Sequence, residues 1–328
     1  VINVDEWISD YYLVTDEKGA SFGKRVDKAV KDWKAAEKEG ASSPWSRFLA
    51  QRNELQLSFS QIAADAPDDP ESATRQHAAD PALDAAYEKV RQALGYSAPE
   101  SMTADRDGRE LTFYGSTDQQ RSTYVVYGRA LDAVEDFYQL ELQGTRDDDR
   151  LPQLDGKPLD NRVTTLVGEL FLTDNPPQMI VVFAGNWVIL TERESWPLGR
   201  FLAINVALAV ERNDTKNKGE LQRVVAALAA EHTQRAADGT TWWLETLEES
   251  RQHSVKVSEE LRGAIKDSIE IIGNDVLDRH RAQGKPIADI HGNELAKQSL
   301  RYLYRILFLL FAESSPCLLY TSPSPRDS

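Results

Sequence analysis

The chain has 328 residues, is 41% hydrophobic and carries 53 acidic against 38 basic side chains, a formal net charge of −15. That apolar share, with seven Trp and eleven Tyr, is enough for real cores and excludes wholesale disorder. A single Cys excludes intramolecular disulfides, and no apolar run reaches the ~18 residues that span a bilayer, so a soluble, cytoplasmic chain of two domains, or one with an appendage, is expected.

Charge is unevenly spread: residues 1–160 hold 19 Lys and Arg against 31 Asp and Glu, and residues 161–328 hold 19 against 22. By bulk charge the front half is a poor polyanion binder, so nucleic-acid contact needs a local basic patch or another part of the full protein. Residues 5–15 mix Trp, Ile, Tyr and Val into a short apolar element. From Phe22 to Glu39, Val26, Val30 and Trp33 recur at helical spacing among Lys and Asp, and Gly40 to Pro44 ends that helix. Ser46 to Ile62 reads as a second helix, and residues 64–81 as a polar loop rich in Asp, Ala and Pro, expected to be mobile. Leu83 to Leu94 is a helix closed by Gly95. Residues 1–99 are thus an acidic, mainly helical region.

The period then changes. Glu110 to Gly115 and Thr123 to Tyr127 are β-branched and aromatic runs that predict strands. Residues 144–161 form a long loop, followed by a helix from Arg162 to Leu172. Met179 to Ala184 and Trp187 to Thr191, joined by Gly185-Asn186, predict a β-hairpin on a two-residue turn. Phe201 to Val206 is a further strand candidate. Residues 100–214 therefore read as an α+β domain with a mostly antiparallel sheet. Residues 215–316 read as a helical connector. Leu221, Val224, Val225 and Leu228 share one face, Trp242, Trp243 and Leu247 begin another segment, and Ser258-Glu259-Glu260-Leu261 resembles a capped helix start. Leu261, Ile265, Ile269, Ile272 and Leu277 keep the helical spacing to about Arg281, and a final helix runs from Asn293 to Ser314. The eleven residues Cys317 to Asp327 resemble the in-frame translation of a sequencing-library adapter, so residues 317–328 are set aside. With Val1 in place of an initiator Met, this leads to the expectation of a fragment whose frame continues past Pro316.

The chemistry-bearing motifs read mostly as structure. Asn175-Pro176-Pro177 resembles the loop of amino-group methyltransferases, but Gln178 stands where an aromatic ring must stack on the flipped base, and a strand follows. It is a hairpin-entry turn. A Mg²⁺-dependent nuclease core needs acidic residues on adjacent strands plus Glu-x-Lys. Glu169 precedes the hairpin and Glu192 and Glu194 follow it, with Arg193 and Ser195 around them and no Lys at that spacing. His253, His280 and His291 lack a second His at ligand spacing, and Asp147-Asp148-Asp149 is a loop charge run with only a weak calcium reading. No Gly-rich phosphate loop and no Gly-x-Ser-x-Gly occur. Arg301-Tyr302-Leu303-Tyr304-Arg305 could place two Arg and two Tyr on DNA, or form a core helix with snorkelling Arg groups. No residue is assigned a catalytic, cofactor-binding or metal-ligating role.

Three blocks carry a resemblance. They are Glu6 to Tyr12 with Ser21-Phe22 and Asp32-Trp33; Leu190 to Leu202 with Glu211 to Asp214; and Glu249 to His253 with Val257 to Leu261 and Arg301 to Phe308. Together they resemble the N-terminal region of Pgl-type and type IIG-like DNA adenine methyltransferases of phage-defence and restriction–modification systems. The resemblance implies a doubly wound catalytic domain beyond Pro316 that binds S-adenosylmethionine, flips an adenine and methylates its exocyclic amine. It implies no cofactor within these residues. The implied partners are double-stranded DNA through the full-length protein, the missing methyltransferase domain and other defence-system proteins, with no membrane. A Mg²⁺-dependent endonuclease domain and an acidic interaction scaffold stand as alternatives.

Overall fold

A computed structural model describes residues 1–15, 20–64, 80–144, 150–287 and 290–314. Most of the 64–81 loop, the Asp147–Asp149 run and residues 317–328 lie outside the described residues. The chain divides into two compact units, Val1–Gln252 and His253–Ser328.

The first unit is built on a mixed, mostly antiparallel sheet. In chain order its strands are β1 (Ile2–Val4), β2 (Glu100–Arg106), β3 (Arg109–Thr117), β4 (Thr123–Tyr127), β5 (Gln153–Leu154), β6 (Lys157–Pro158), β7 (Met179–Ala184), β8 (Trp187–Glu192) and β9 (Phe201–Asn205). Their spatial order is β1-β9-β8-β7-β4-β3-β5-β6, with β2 paired to β3 off that path. Among the described residues only β4 and β7 pair in parallel, and that pairing requires a crossover, because parallel neighbours cannot be joined by a tight turn. Helix α5 (Val163–Phe171) lies within the crossing segment. The other helices of this unit are α1 (Asp10–Val14), α2 (Phe22–Lys38), α3 (Pro44–Ala64), α4 (Pro81–Leu94), α6 (Val206–Arg212), α7 (Glu220–Leu228), α8 (Ala230–Thr233) and the first turns of α9 (Trp242–Ala282).

Strands β4 and β7 are buried at every position, which explains why Met179 to Ala184 is a continuous apolar run rather than an alternating one. Successive side chains point to opposite faces. Val125, Tyr127, Val181 and Phe183 join one core with the helices α2, α3, α4 and α7. Tyr124, Val126, Ile180 and Val182 join a second core, with α5. The unit therefore has helix, sheet and helix layers, and the helices before Gly95 share their core with the strands after it.

Local chemistry sets the ends of these elements. Ser21 caps α2 by accepting from the Lys24 amide at 3.3 Å. Asp80 caps α4 with Pro81 at the first turn, and Gly95 closes it at φ 88°. In the β7–β8 hairpin positive φ falls on Gly185, the residue that the first position of a type II′ turn requires. The expected helix start at Ser258 is not present: α9 runs unbroken through it. Ser258-Glu259-Glu260 imitates a capping motif, but no Gly or Pro precedes it to stop the earlier turns.

The second unit consists of the rest of α9 and α10 (Gly292–Ser314). These helices meet beside Gly273, where the Leu295 side chain lies 3.8 Å from the position a Cβ would occupy. On α9, Ile265, Ile269, Ile272 and Leu277 are half-buried at helical spacing. On α10 the covered stripe is Leu295, Ser299 and Leu303, and from Tyr304 to Phe311 every side chain is exposed. Among the described residues no helix is long and apolar enough to cross a membrane.

Candidate functional site

In the first unit a few residues of each sequence block meet at the first turns of α9: Trp7, Ser9 and Phe22 of the first, Glu194 of the second, and Ser250 and Arg251 of the third. The Ser9 amide donates to the Ser250 hydroxyl at 3.1 Å, across 241 residues of chain. Trp7 lies 4.9 Å from Trp243 between ring centroids, and Phe22 stacks on Trp243 at 5.8 Å. Arg25 on α2 donates through Nε to the Thr246 hydroxyl at 3.1 Å and through Nη2 to the Trp242 carbonyl at 2.9 Å. It also pairs with Glu245 at 3.1 Å and lies 5.2 Å from the centroid of the Trp242 ring. The planar guanidinium can make all of these contacts at once, which a lysine cannot.

Trp242 also stacks on His232 at 4.7 Å, and His232 stacks on Trp33 at 5.8 Å. Arg25, Trp242, His232 and Trp33 thus form one connected pile of face contacts. His232 Nδ1–H donates to the Ala226 carbonyl at 2.6 Å, the tautomer that a carbonyl partner demands. Burial pushes its pKa below the ordinary imidazole value, outweighing the hydrogen bond to Ala226, which favours the charged ring. The folded chain therefore prefers the neutral ring. Its contribution is complete above the unfolded pKa of about 6.5 and declines as pH falls below that, when only the unfolded chain takes up the proton. Urea midpoints measured at about pH 7.5 and about pH 5.5 should show this acid loss, and His232→Gln should flatten it.

At the first turns of α9 lies a cavity of about 330 Å³, walled by Leu244 and Leu247 as well as by charged side chains, that gathers the motifs singled out in sequence. Pro176, Pro177 and Gln178 enter it from before β7, Glu192, Arg193 and Glu194 from the end of β8, and Glu248 and Arg251 from α9. The hairpin register explains the first two groups, because Met179 pairs with Glu192 and so brings both flanks to one end. Gln178 accepts from the Thr241 hydroxyl at 2.7 Å, which fixes this edge to the start of α9. Arg251 reaches Glu248 at 3.3 Å and Glu194 at 3.8 Å.

The carboxylate of Glu192 is buried and turned into its own loop. It accepts from the Glu194 amide at 2.6 Å on one oxygen and from the Ser195 hydroxyl on the other. Glu169 lies elsewhere, paired with Arg106 of β2. Asn175 is exposed and does not line the cavity. Among the described residues no group of three or more His, Cys, Asp or Glu is placed to hold a metal ion. His253 opens the second unit, His280 lies near the end of α9, and His291 immediately precedes α10. Arg301, Tyr302, Tyr304 and Arg305 are all exposed on α10.

The cavity's three carboxylates and two guanidinium groups largely compensate one another, and the Ser195 hydroxyl is committed to Glu192. The arrangement suits charged contact with another surface better than bond making. A larger cavity of about 650 Å³ opens between β9, α1, α2 and α7, with Leu13, Phe22, Leu202, Ile204 and Val224 forming apolar walls. Sequence reasoning missed Arg25 and His232 because their partners are far away in the chain. Comparison of the chain with family models, with curated proteins and with solved structures finds no match.

Proposed function

We propose that these residues are the non-catalytic N-terminal portion of a DNA adenine methyltransferase of a restriction–modification or phage-defence system. In this reading the second unit packs against the S-adenosylmethionine-binding catalytic domain, and the first helps to position DNA. The observation that supports it is the apolar end of α10. Ile306, Leu307, Phe308, Leu309, Leu310 and Phe311 are consecutive, and all six are exposed, the last four by 60, 66, 55 and 61%. A helix that is apolar all round is stable when other protein or lipid surrounds it. The segment is too short to span a bilayer, so a protein partner is the better fit. Residues from each of the blocks that carry the family resemblance also meet at the first turns of α9.

Two experiments test this reading. Sequencing the source DNA outward from the codons for Arg301–Phe311 should reveal a continuing frame with a Gly-rich cofactor loop and an Asn-Pro-Pro-aromatic loop; an early stop codon would overturn it. In calorimetry the chain by itself should bind neither S-adenosylmethionine nor duplex DNA with submicromolar affinity. The apolar end should also be dispensable for folding. Leu307→Glu combined with Leu310→Glu is expected to shift the unfolding free energy by no more than about 0.5 kcal/mol, as for surface sites, while lowering binding of a hydrophobic dye. A large loss of stability would show that these side chains are covered within the chain.

A further inference from the structure

Helix α2 inverts the charge of its surroundings. It holds six cationic side chains against three carboxylates in a chain where acidic residues predominate. Lys24, Lys28, Lys31, Lys34 and Lys38 are all exposed. At 3.6 residues per turn, Lys24, Lys28, Lys31 and Lys38 fall within about 80° of arc, with Lys34 at its margin. This strip lies opposite the face that buries Phe22, Val26, Ala29, Val30 and Trp33.

The neighbouring carboxylates do not neutralise it. Asp27 is held by Lys218 at 2.8 Å, and Glu37 accepts from the Ser43 hydroxyl. Asp32 and Glu39 flank the strip. Among the described residues none of the five lysine side chains has an ion-pair partner. Solvated helices elsewhere in this chain are arranged differently: α9 pairs Lys256 with Glu260, Arg279 with Asp275 and Arg281 with Asp278. On α2, Lys24, Lys28, Lys31, Lys34 and Lys38 follow one another at i,i+3 or i,i+4 and repel one another, an effect that Asp27, Asp32 and Glu37 at the same spacings offset only in part. Self-repulsion kept along one outer face points to an external anion.

We infer that the outer face of α2 is a docking strip for the phosphate backbone of double-stranded DNA. Lys24 to Lys38 covers about 21 Å of helix axis, against which a duplex presents about one charge per 1.7 Å. The strip is rigid and linear, and it carries no Asn, Gln or free Arg that could read base edges, so it grips without regard to sequence. A membrane-surface helix needs an apolar half to embed, and the apolar half of α2 is buried in the first unit. The choice of DNA among polyanions rests on the proposed function; the strip itself does not.

The test is fluorescence anisotropy of the whole chain with a short labelled duplex of arbitrary sequence, across a salt series. Binding should be micromolar at low salt, with log K falling against log salt at a slope of about −3 to −4, as four phosphate contacts require. Replacing Lys24, Lys28, Lys31 and Lys38 together by Gln should weaken binding about tenfold or more and flatten the slope. Lys256→Gln with Lys266→Gln, on α9, should change neither. Absence of binding at the lowest salt, or unchanged affinity and slope in the α2 variant, would overturn the strip. So would equal binding to phosphatidylserine vesicles that is lost on the same substitutions. Failure here beside a downstream methyltransferase frame removes the strip alone. Success without such a frame keeps the strip and removes the methyltransferase reading.

Discussion

Replacing Trp243 with alanine is expected to lower the unfolding free energy by about 3–5 kcal/mol, the range for deleting a buried aromatic side chain. Trp243 is fully buried. Its ring lies 4.9 Å from Trp7, 5.8 Å from Phe22 and 5.2 Å from Trp242, so the N-terminal element, α2 and α9 all lean on it. Its Nε1–H donates to the Ala227 carbonyl at 2.7 Å. Truncation removes the packing, opens a cavity and leaves that buried carbonyl without its partner. Urea unfolding should show a lower midpoint with an unchanged m value. Trp243→Phe should recover part of the loss, because it restores most of the ring packing, and the residual would combine the smaller cavity with the lost hydrogen bond. Wild-type stability in Trp243→Ala would mean that the aromatic pile does not anchor α9.

Tyr87→Phe should cost about 2–3 kcal/mol although it removes a single oxygen. The Tyr87 hydroxyl donates to the Gly128 carbonyl at 2.7 Å and accepts from the Gly185 amide at 2.6 Å. One atom on α4 thus ties the end of β4 to the turn of the β7–β8 hairpin. Burial raises the phenol pKa well above its ordinary value, so the group stays a neutral donor through the accessible pH range. Phenylalanine keeps the ring contacts with Tyr127 and Phe183 at 5.8 and 5.7 Å but leaves a buried donor and a buried acceptor unpaired. Faster amide exchange at Gly185, together with the lower urea midpoint, would mark the hydroxyl as the cause. Unchanged exchange there would contradict it.

What could be read from sequence follows the reach of each signal. Periodicity located α2, α3, α4, α5 and α10, and the Gly185-Asn186 pair located the hairpin, because caps, faces and tight turns are written within a few residues. Strand β2 went unread: Glu100 to Arg106 is largely polar and exposed, and its fit to the sheet is a ladder with β3 rather than an apolar stripe. A usable signal was present in Asp107-Gly108, whose residues take φ of 50° and 74° at the turn between those strands. The parallel β4–β7 pair was hidden because the segment between them is long and only partly regular. The candidate site was legible as separate motifs but not as a place. Pro176-Pro177, Glu192 to Glu194 and Glu248 to Arg251 meet only once the hairpin register and the seat of α9 are fixed. The Arg25 and His232 contacts depend on ring stacking between distant segments, to which local patterns are blind.

The strand order carries a consequence for how this molecule can associate. Among the described residues one end of the sheet is β6, two residues long and containing Pro158, and β2, which pairs with β3 off the main path, carries Glu100, Asp105 and Arg106 among its seven residues. Short, proline-blocked or charged margins offer little template for an added strand. Recruitment of another chain by backbone pairing is therefore disfavoured at these two margins. Side-chain surfaces on the helices, where fit rather than generic β-stickiness selects the partner, are favoured for assembly by comparison.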